Sequence, residues 1–319
     1  YNFGGYLHSV EIPSKKKSNE KEDVLLGYNN FFGYENDSSY LNSIVGRVCG
    51  RISNSKFELN NKEYNLFAND NSNHLHGGKI GFNKKIWSIS KLVEKNDSLK
   101  CVLKYFSANM EEGYPGNLAC KTSYSLNNNN EFIIEFNAFS DEDTIVNITN
   151  HNYWNFHGHK DKYSNIINHF VKVKANTFCE VTKNYIPTGK MIDVGKSKYD
   201  FRDYKIIDSR ILSDQGIDTC YSINNYDDNI NHIASVFSNY TKMGMELFSN
   251  NPGLQFYTGN MMDKIYSGKN DKKYGTQYGL CLEPQLFPDA INHSNFKSTI
   301  LKANEKYSST IIMKFKNDF

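Results

Sequence analysis

Apolar and polar residues alternate with a period of two over much of this chain, the repeat produced by a strand with one buried face. Lys121-Thr-Ser-Tyr-Ser-Leu126 alternates in this way, gives way to four asparagines from Asn127 to Asn130, and resumes as Phe132-Ile-Ile-Glu-Phe-Asn-Ala-Phe139. That pattern predicts a hairpin. A second hairpin is predicted over Lys56 to Leu66, where Asn60-Asn61 can supply the positive φ angles of a two-residue turn. Further strands are expected at Asp23 to Tyr28, Ile86 to Val93, Leu99 to Phe106, Thr144 to Thr149, Phe170 to Lys174 and Ser309 to Phe315. No long amphipathic helix competes, and the charged stretch from Ser14 to Asp23 reads as a solvated loop between two early strands. Many short strands separated by Asn, Gly, Asp and Lys turns predict an all-β fold, a large antiparallel β-sandwich or barrel-like architecture.

Composition narrows what such a fold can do. With 319 residues, 39% hydrophobic and 14% aromatic, the chain can bury a sizeable core. Length alone would allow two domains, but all-β units often reach this size singly, and neither an internal repeat nor a Gly/Ser- or Pro-rich linker divides the chain. The 37 Lys+Arg nearly cancel the 35 Asp+Glu and the signs are interleaved, so neither nucleic acid nor a membrane surface is expected as a partner. No apolar run approaches the roughly 18 residues of a bilayer span, and the first residues lack the pattern of a signal peptide. Six cysteines spread singly favour free thiols in a reducing compartment, hence a cytoplasmic protein; the Asn-x-Ser/Thr triplets at Asn36 and Asn239 weigh little in so asparagine-rich a chain. Lysine greatly outnumbers arginine, which stands only at Arg47, Arg51, Arg202 and Arg210. Those positions invite the question of where a planar, forked donor is needed.

Four segments place polar residues that are costly to bury beside glycine and aromatics: His74-Leu-His-Gly-Gly78, Thr149-Asn-His-Asn-Tyr-Trp-Asn155, Gly216-Ile-Asp218 and the run from Cys281 to Asn292. Brought to one sheet face they would line a carbohydrate-like cleft. The glutamate of Leu282-Glu-Pro-Gln285 could be tuned as a base there. The pairs His74-x-His76 and His157-x-His159 could each project two imidazoles to one face of a strand, a metal reading weakened by the lack of a carboxylate at metal-motif spacing. No Gly-x-Ser-x-Gly elbow, activated cysteine, Gly-x-Gly-x-x-Gly or Walker loop occurs, so nucleophilic catalysis and a nucleotide cofactor are unsupported.

Taken in order, nine segments resemble the galactose mutarotase (aldose 1-epimerase) family, from about Gly4 to Phe315. They are Val24-Leu-Leu-Gly27, Ile44-Val-Gly-Arg-Val-Cys-Gly-Arg-Ile52, Leu75-His-Gly-Gly78, Glu112-Gly-Tyr-Pro-Gly116, Ile148-Thr-Asn-His-Asn-Tyr-Trp-Asn155, Ile186-Pro-Thr-Gly189, Asp200-Phe-Arg202, Pro252-Gly-Leu-Gln-Phe-Tyr-Thr-Gly-Asn260, and Leu282-Glu-Pro-Gln285 with Pro288-Asp-Ala-Ile-Asn292. Each alone is weak, but nine in the family's order are specific. The resemblance implies a single supersandwich domain over 1–319, an open sugar cleft, no metal and no organic cofactor, and a monomer or homodimer acting on a free aldohexose.

By the same resemblance Glu283 is the general base and His151 the general acid. His76 is the second site histidine, Arg51 hydrogen-bonds sugar hydroxyls, Asp218 accepts from them, and Tyr153 and Gln255 are lesser binding positions. Departures from the family pattern stand at Gly50, where asparagine is usual before Arg51, and at Thr219, where histidine often follows the aspartate. Part of the family's first strand would precede Tyr1. Two other readings remain open at this stage: a non-catalytic carbohydrate-binding relative with the same cleft, and an enzyme for phosphorylated sugars, which would want more cationic residues.

Overall fold

The computed structural model describes residues 1–15, 20–159, 165–262 and 268–319. The predicted hairpin forms from Leu118–Asn127 and Glu131–Ser140, in unbroken antiparallel register from Leu118 opposite Ser140 to Leu126 opposite Phe132. Asn130 closes its turn at φ 60°. In the second hairpin, Lys56–Leu59 and Lys62–Asn65, Asn60 and Asn61 take φ 53° and 58°, a conformation asparagine tolerates better than most residues.

Two sheets position everything else. The larger has nine strands in the spatial order Lys205–Ile206, His169–Val173, Asn231–Ser238, Gly244–Ser249, Lys306–Lys316, Glu131–Ser140, Leu118–Asn127, Ser98–Ser107 and Ser88–Lys95. The smaller has five, in the order Pro187–Asp193, Ala175–Val181, Asp218–Ile223, Gly253–Tyr257 and Cys281–Gln285. Neighbouring strands are antiparallel in both. Val171, Leu247, Ile311 and Met313 of the large sheet share one buried cluster with Tyr221, Leu254, Phe256 and Leu282 of the small one, so the core is the layer between them. Among the described residues the α-helices are only five residues long, Phe31–Glu35 and Ser209–Ser213, and none is long and apolar enough to cross a membrane.

The strands expected near 86–93, 99–106, 170–174 and 309–315 are present with shifted ends, as Ser88–Lys95, Ser98–Ser107, His169–Val173 and Lys306–Lys316. Three expectations need correction. Asp23 to Tyr28 is not a continuous strand: Lys21–Asp23 pairs with Glu11–Pro13, and beyond it only single bridges form, Leu25 to Trp154 and Tyr28 to Gly268. The Asp23 carboxylate accepts from the Val10 and Leu25 amides and so interrupts the ladder. For the same reason the charged stretch is not wholly a loop; residues 16–19 of it lie outside the described residues. Thr144 to Thr149 divides between two partners, Thr144–Ile145 with Ile300–Leu301 and Thr149–Asn150 with Ile44–Val45. Between them the Asn147 side chain bonds both backbone groups of Leu286, which fixes the crossing point.

The arginines separate by role. Arg202 and Arg210 pair with Asp200 and Asp208 at the surface. Arg47 is buried, and its two Nη atoms donate to the carbonyls of Pro115, Gly116, Ser107 and Ala108 and to the hydroxyls of Ser107 and Thr144. A lysine has one nitrogen and could not spread its donors over that many acceptors.

Histidine burial makes stability depend on pH. His8, His74, His76, His151, His157, His159, His169 and His232 are all held below their ordinary value, with burial the largest cause in each. For His74 and His151 the value reaches about 4. Unfolding restores the ordinary value of about 6.5, so as pH falls through that range the unfolded chain binds more protons and gains on the folded one. Burial raises Asp37, Asp218 and Glu283 and opposes this trend, but with fewer groups. The thermal unfolding midpoint is expected to fall steadily from about pH 7 to pH 4.5 when followed by circular dichroism; a midpoint that is flat or rises on acidification would contradict this account.

Candidate active site

Alternation on the five-stranded sheet decides which residues can do chemistry. Tyr221, Leu254, Phe256 and Leu282 point into the core, so Asp218, Cys220, Gln255, Tyr257, Cys281 and Glu283 point to the opposite face. Strand register sets Gln255 directly between Cys220 and Glu283, and Tyr257 between Asp218 and Cys281. Of these, Asp218, Cys220, Gln255, Tyr257 and Glu283 floor a cleft of about 410 Å³, of the size that holds a small polar ligand.

Loops supply the walls. Arg51–Ile52 pairs with His74–Leu75, and the chain then turns sharply, with His76 at φ 51° and Gly77 at φ 88°. A Cβ on Gly77 would lie 1.8 Å from the Gly46 carbonyl oxygen, so only glycine fits. The turn delivers His76 beside Gly50, whose amide donates to His76 Nδ1 at 3.2 Å while the His76 amide donates back to the Gly50 carbonyl at 3.0 Å. His151 follows Thr149–Asn150, a strand anchored where the Thr149 hydroxyl donates to the Pro284 carbonyl. Two tyrosine rings lie nearly parallel to its imidazole, Tyr153 at 4.9 Å and Tyr40 at 6.2 Å, and His76 meets it edge-on at 5.4 Å.

The central feature is Glu283 facing His151. Glu283 is 2% exposed, and its Oε2 has no hydrogen-bond partner yet lies 3.9 Å from His151 Nε2. Burial, aided by the nearby Asp218 charge, pushes the Glu283 carboxyl well above its usual range. Burial likewise lowers His151 to about 4, and the Cys281 sulfur sits 3.4 Å from its Nδ1. Asp218 accepts from Gln255 Nε2 at 2.6 Å and is raised to about 6 by burial, against the pull of Arg51 and of that hydrogen bond. Arg51 donates through Nε to Asp70 at 2.6 Å and its guanidinium lies 5.1 Å over the Tyr185 ring.

All seven residues singled out from the sequence, Arg51, His76, His151, Tyr153, Asp218, Gln255 and Glu283, line this one cleft. Tyr153 is mainly part of its wall, its hydroxyl donating to the Ser39 carbonyl. At the two departures, the Gly50 amide takes up His76, and the Thr219 hydroxyl donates to the Cys179 carbonyl, leaving Gln255 to orient Asp218. Sequence reasoning missed Tyr40, Asp70 and Tyr185, which lie in irregular segments with no periodicity to reveal them.

Neither His-x-His pair forms a metal site. His74 is engaged by the Phe67 carbonyl and the Tyr114 hydroxyl, and His157 by Ser238 and the Ile167 carbonyl. His159 is engaged by the Leu25 carbonyl and by Tyr274. Among the described residues the donor set nearest to a metal centre is His151, Cys281 and Glu283, one atom from each lying within 4.8 Å of the others.

Fold and site together define an all-β sandwich with a buried carboxylate–imidazole pair at the base of a polar, aromatic-walled cleft. The chain belongs to the aldose 1-epimerase family, whose family model matches residues 1–314. It is 34% identical to human galactose mutarotase over 98% of this chain and 89% of that protein. Aldose 1-epimerase of Escherichia coli K12 is 31% identical over 96% and 88%. Among solved structures, an aldose epimerase homologue from C. elegans superimposes with a TM-score of 0.88 at 25% identity, covering 100% of this chain and 94% of that one. Galactose 1-epimerase from Lactobacillus acidophilus gives 0.84 at 26% identity, covering 100% and 90%.

The site also makes a prediction about thiols. Cys49, Cys120, Cys179, Cys220 and Cys281 are free and buried, and Cys101 is partly exposed. A thiol-specific chromogenic reagent is therefore expected to label Cys101 first in the folded protein, with all six cysteines reacting only after unfolding. Rapid labelling of Cys179 or Cys220 in the native state, located by peptide mass spectrometry, would show that the cleft floor is open to the reagent.

Proposed function

We propose that this protein is an aldose 1-epimerase that interconverts the α and β anomers of free hexoses such as galactose and glucose. The observation that carries the reading is the buried Glu283–His151 pair at 3.9 Å, set in the cleft of a chain that belongs to this family. In this reading Glu283 takes the proton from the C1 hydroxyl while His151 delivers one to the ring oxygen, and the C1–O5 bond opens. Rotation about C1–C2 turns the carbonyl, and the same pair working in reverse closes the other anomer. Neither a redox change nor a covalent enzyme intermediate is required.

Burial favours this division of labour. The pair is neutral whether the proton rests on the carboxyl or has crossed to the imidazole, so shifting it creates no net charge in a dry site. The unpartnered Glu283 Oε2 is free to accept from the anomeric hydroxyl, and a proton accepted there is returned through His151. Arg51, His76, Asp218 and Gln255 supply donors and acceptors for the remaining hydroxyls, and Tyr153 with Tyr40 holds the imidazole plane. Because these residues run from Arg51 to Glu283, we treat 1–319 as one catalytic domain, a monomer or homodimer. The free thiols support a cytoplasmic setting.

Polarimetric relaxation of fresh α-D-galactose and α-D-glucose tests the proposal. The protein is expected to accelerate it, and Glu283→Gln is expected to lower kcat by about 10² to 10⁴. A Glu283→Gln protein as active as the unaltered one would overturn the role of Glu283.

A further inference from the structure

Arg51 brings a positive charge to the cleft, yet the residues around it do not leave that charge free to attract an anion. Its Nε donates to Asp70 Oδ2 at 2.6 Å, with the two side chains only 15% and 24% exposed. The Tyr185 ring covers one face of the guanidinium, from a hairpin tip where Tyr185 itself stands at φ 58°. Among the described residues the Asp70 side chain otherwise accepts only a long contact of 3.4 Å from Asn71, and its backbone closes a tight turn with Asn73. Among the described cleft-lining residues Arg51 is the only Lys or Arg, against the carboxyl groups of Asp70, Asp218 and Glu283.

We infer that Asp70 is a positioning and specificity-determining residue: it fixes the Arg51 fork toward the sugar and cancels its charge, so that the cleft accepts neutral aldoses and discriminates against anionic ones. The positioning follows from geometry. Once Nε is held by Asp70 and the ring face by Tyr185, the two Nη groups remain to meet vicinal hydroxyls without a search over rotamers. The discrimination follows from charge. A guanidinium without its carboxylate would draw in a sugar acid or sugar phosphate; with it, the Arg51–Asp70 and Glu283–His151 pairs are each neutral, and the anion meets the Asp218 carboxylate. Asp70 acts through Arg51 and need not touch the reacting atoms.

This inference rests on the epimerase reading, and the experiment separates the two. Anomer exchange would be followed with galactose against galacturonate, and with glucose against glucose 6-phosphate, for the unaltered protein, Asp70→Asn and Asp70→Glu. Asp70→Asn is expected to raise KM for the neutral sugars about threefold with kcat within about twofold, as a partly exposed ion pair warrants. Its kcat/KM for galacturonate relative to galactose should rise about fivefold at low ionic strength, the doubly charged phosphate should gain more, and both gains should shrink in about 0.5 M salt. Asp70→Glu should restore the original discrimination. In the unaltered protein, added salt alone should narrow the gap between neutral and anionic sugars, a readout that needs no variant to fold. Unchanged neutral-to-anionic ratios in folded Asp70→Asn, or a gap insensitive to salt, would overturn the role of Asp70 while leaving the activity standing. An unaltered protein inert toward both neutral hexoses would instead overturn the epimerase reading.

Discussion

A carboxylate buried without a hydrogen-bond partner is expensive, and this molecule is organised around one. Leaving a buried polar group unsatisfied costs on the order of 1–3 kcal/mol, more when it is charged. Glu283 Oε2 is in that condition, at 2% exposure, beside an imidazole whose proton affinity burial lowers and a second carboxyl, Asp218, that raises the proton affinity of Glu283 further. Once its proton has crossed to His151, such a group accepts another from the hydroxyl that enters. The cost is borne by the apolar layer between the two sheets, where fully buried Trp154, Phe156, Phe256 and Tyr221 pack.

The sheet and the loops divide the work. Cys281–Gln285 is buried at every position and hydrogen-bonded along Gly253–Tyr257, so Glu283 has little freedom to relax away from its strained environment. The loops carry the groups that meet a ligand, and each is fixed by a device of its own. Asp37 is buried and accepts from the hydroxyls of Tyr6 and Tyr28 and from the amides of Ser39 and Leu41, bracketing Tyr40. The glycine pair after His76, the Gly50–His76 exchange and the Asp70–Arg51 pair do the same for the opposite wall. The result is a rigid acid–base pair with preorganised donors, which lowers the entropy lost when a sugar binds.

Hairpins were legible because their evidence is local: alternation of period two and asparagines able to take positive φ. Where side chains compete for backbone groups, local pattern fails. Asp23 interrupts the strand that Val24 to Tyr28 would continue by taking up the Val10 and Leu25 amides, and Asn147 splits Thr144 to Thr149 by binding Leu286, which lies 139 residues away in the chain. The same limit explains the histidines. His74 and His157 look like ligand pairs in a linear text, but their nitrogens are taken up by Tyr114, Phe67, Ser238 and Ile167, from other parts of the fold.

By itself the sequence determined the strand-rich class, the absence of a nucleotide loop, the family and seven of the residues that line the cleft. These depend on periodicity, composition and short motifs, which are properties of neighbours along the chain. Tertiary structure decided how those residues work: that Glu283 lacks a partner, that His151 lies against two tyrosine rings, that Thr219 turns to Cys179 and that Asp70 holds Arg51. These depend on burial and, apart from the Tyr153 ring two residues from His151, on distances between segments well separated along the chain. No local pattern encodes a desolvation cost or a 2.6 Å contact between residues 19 apart in the chain.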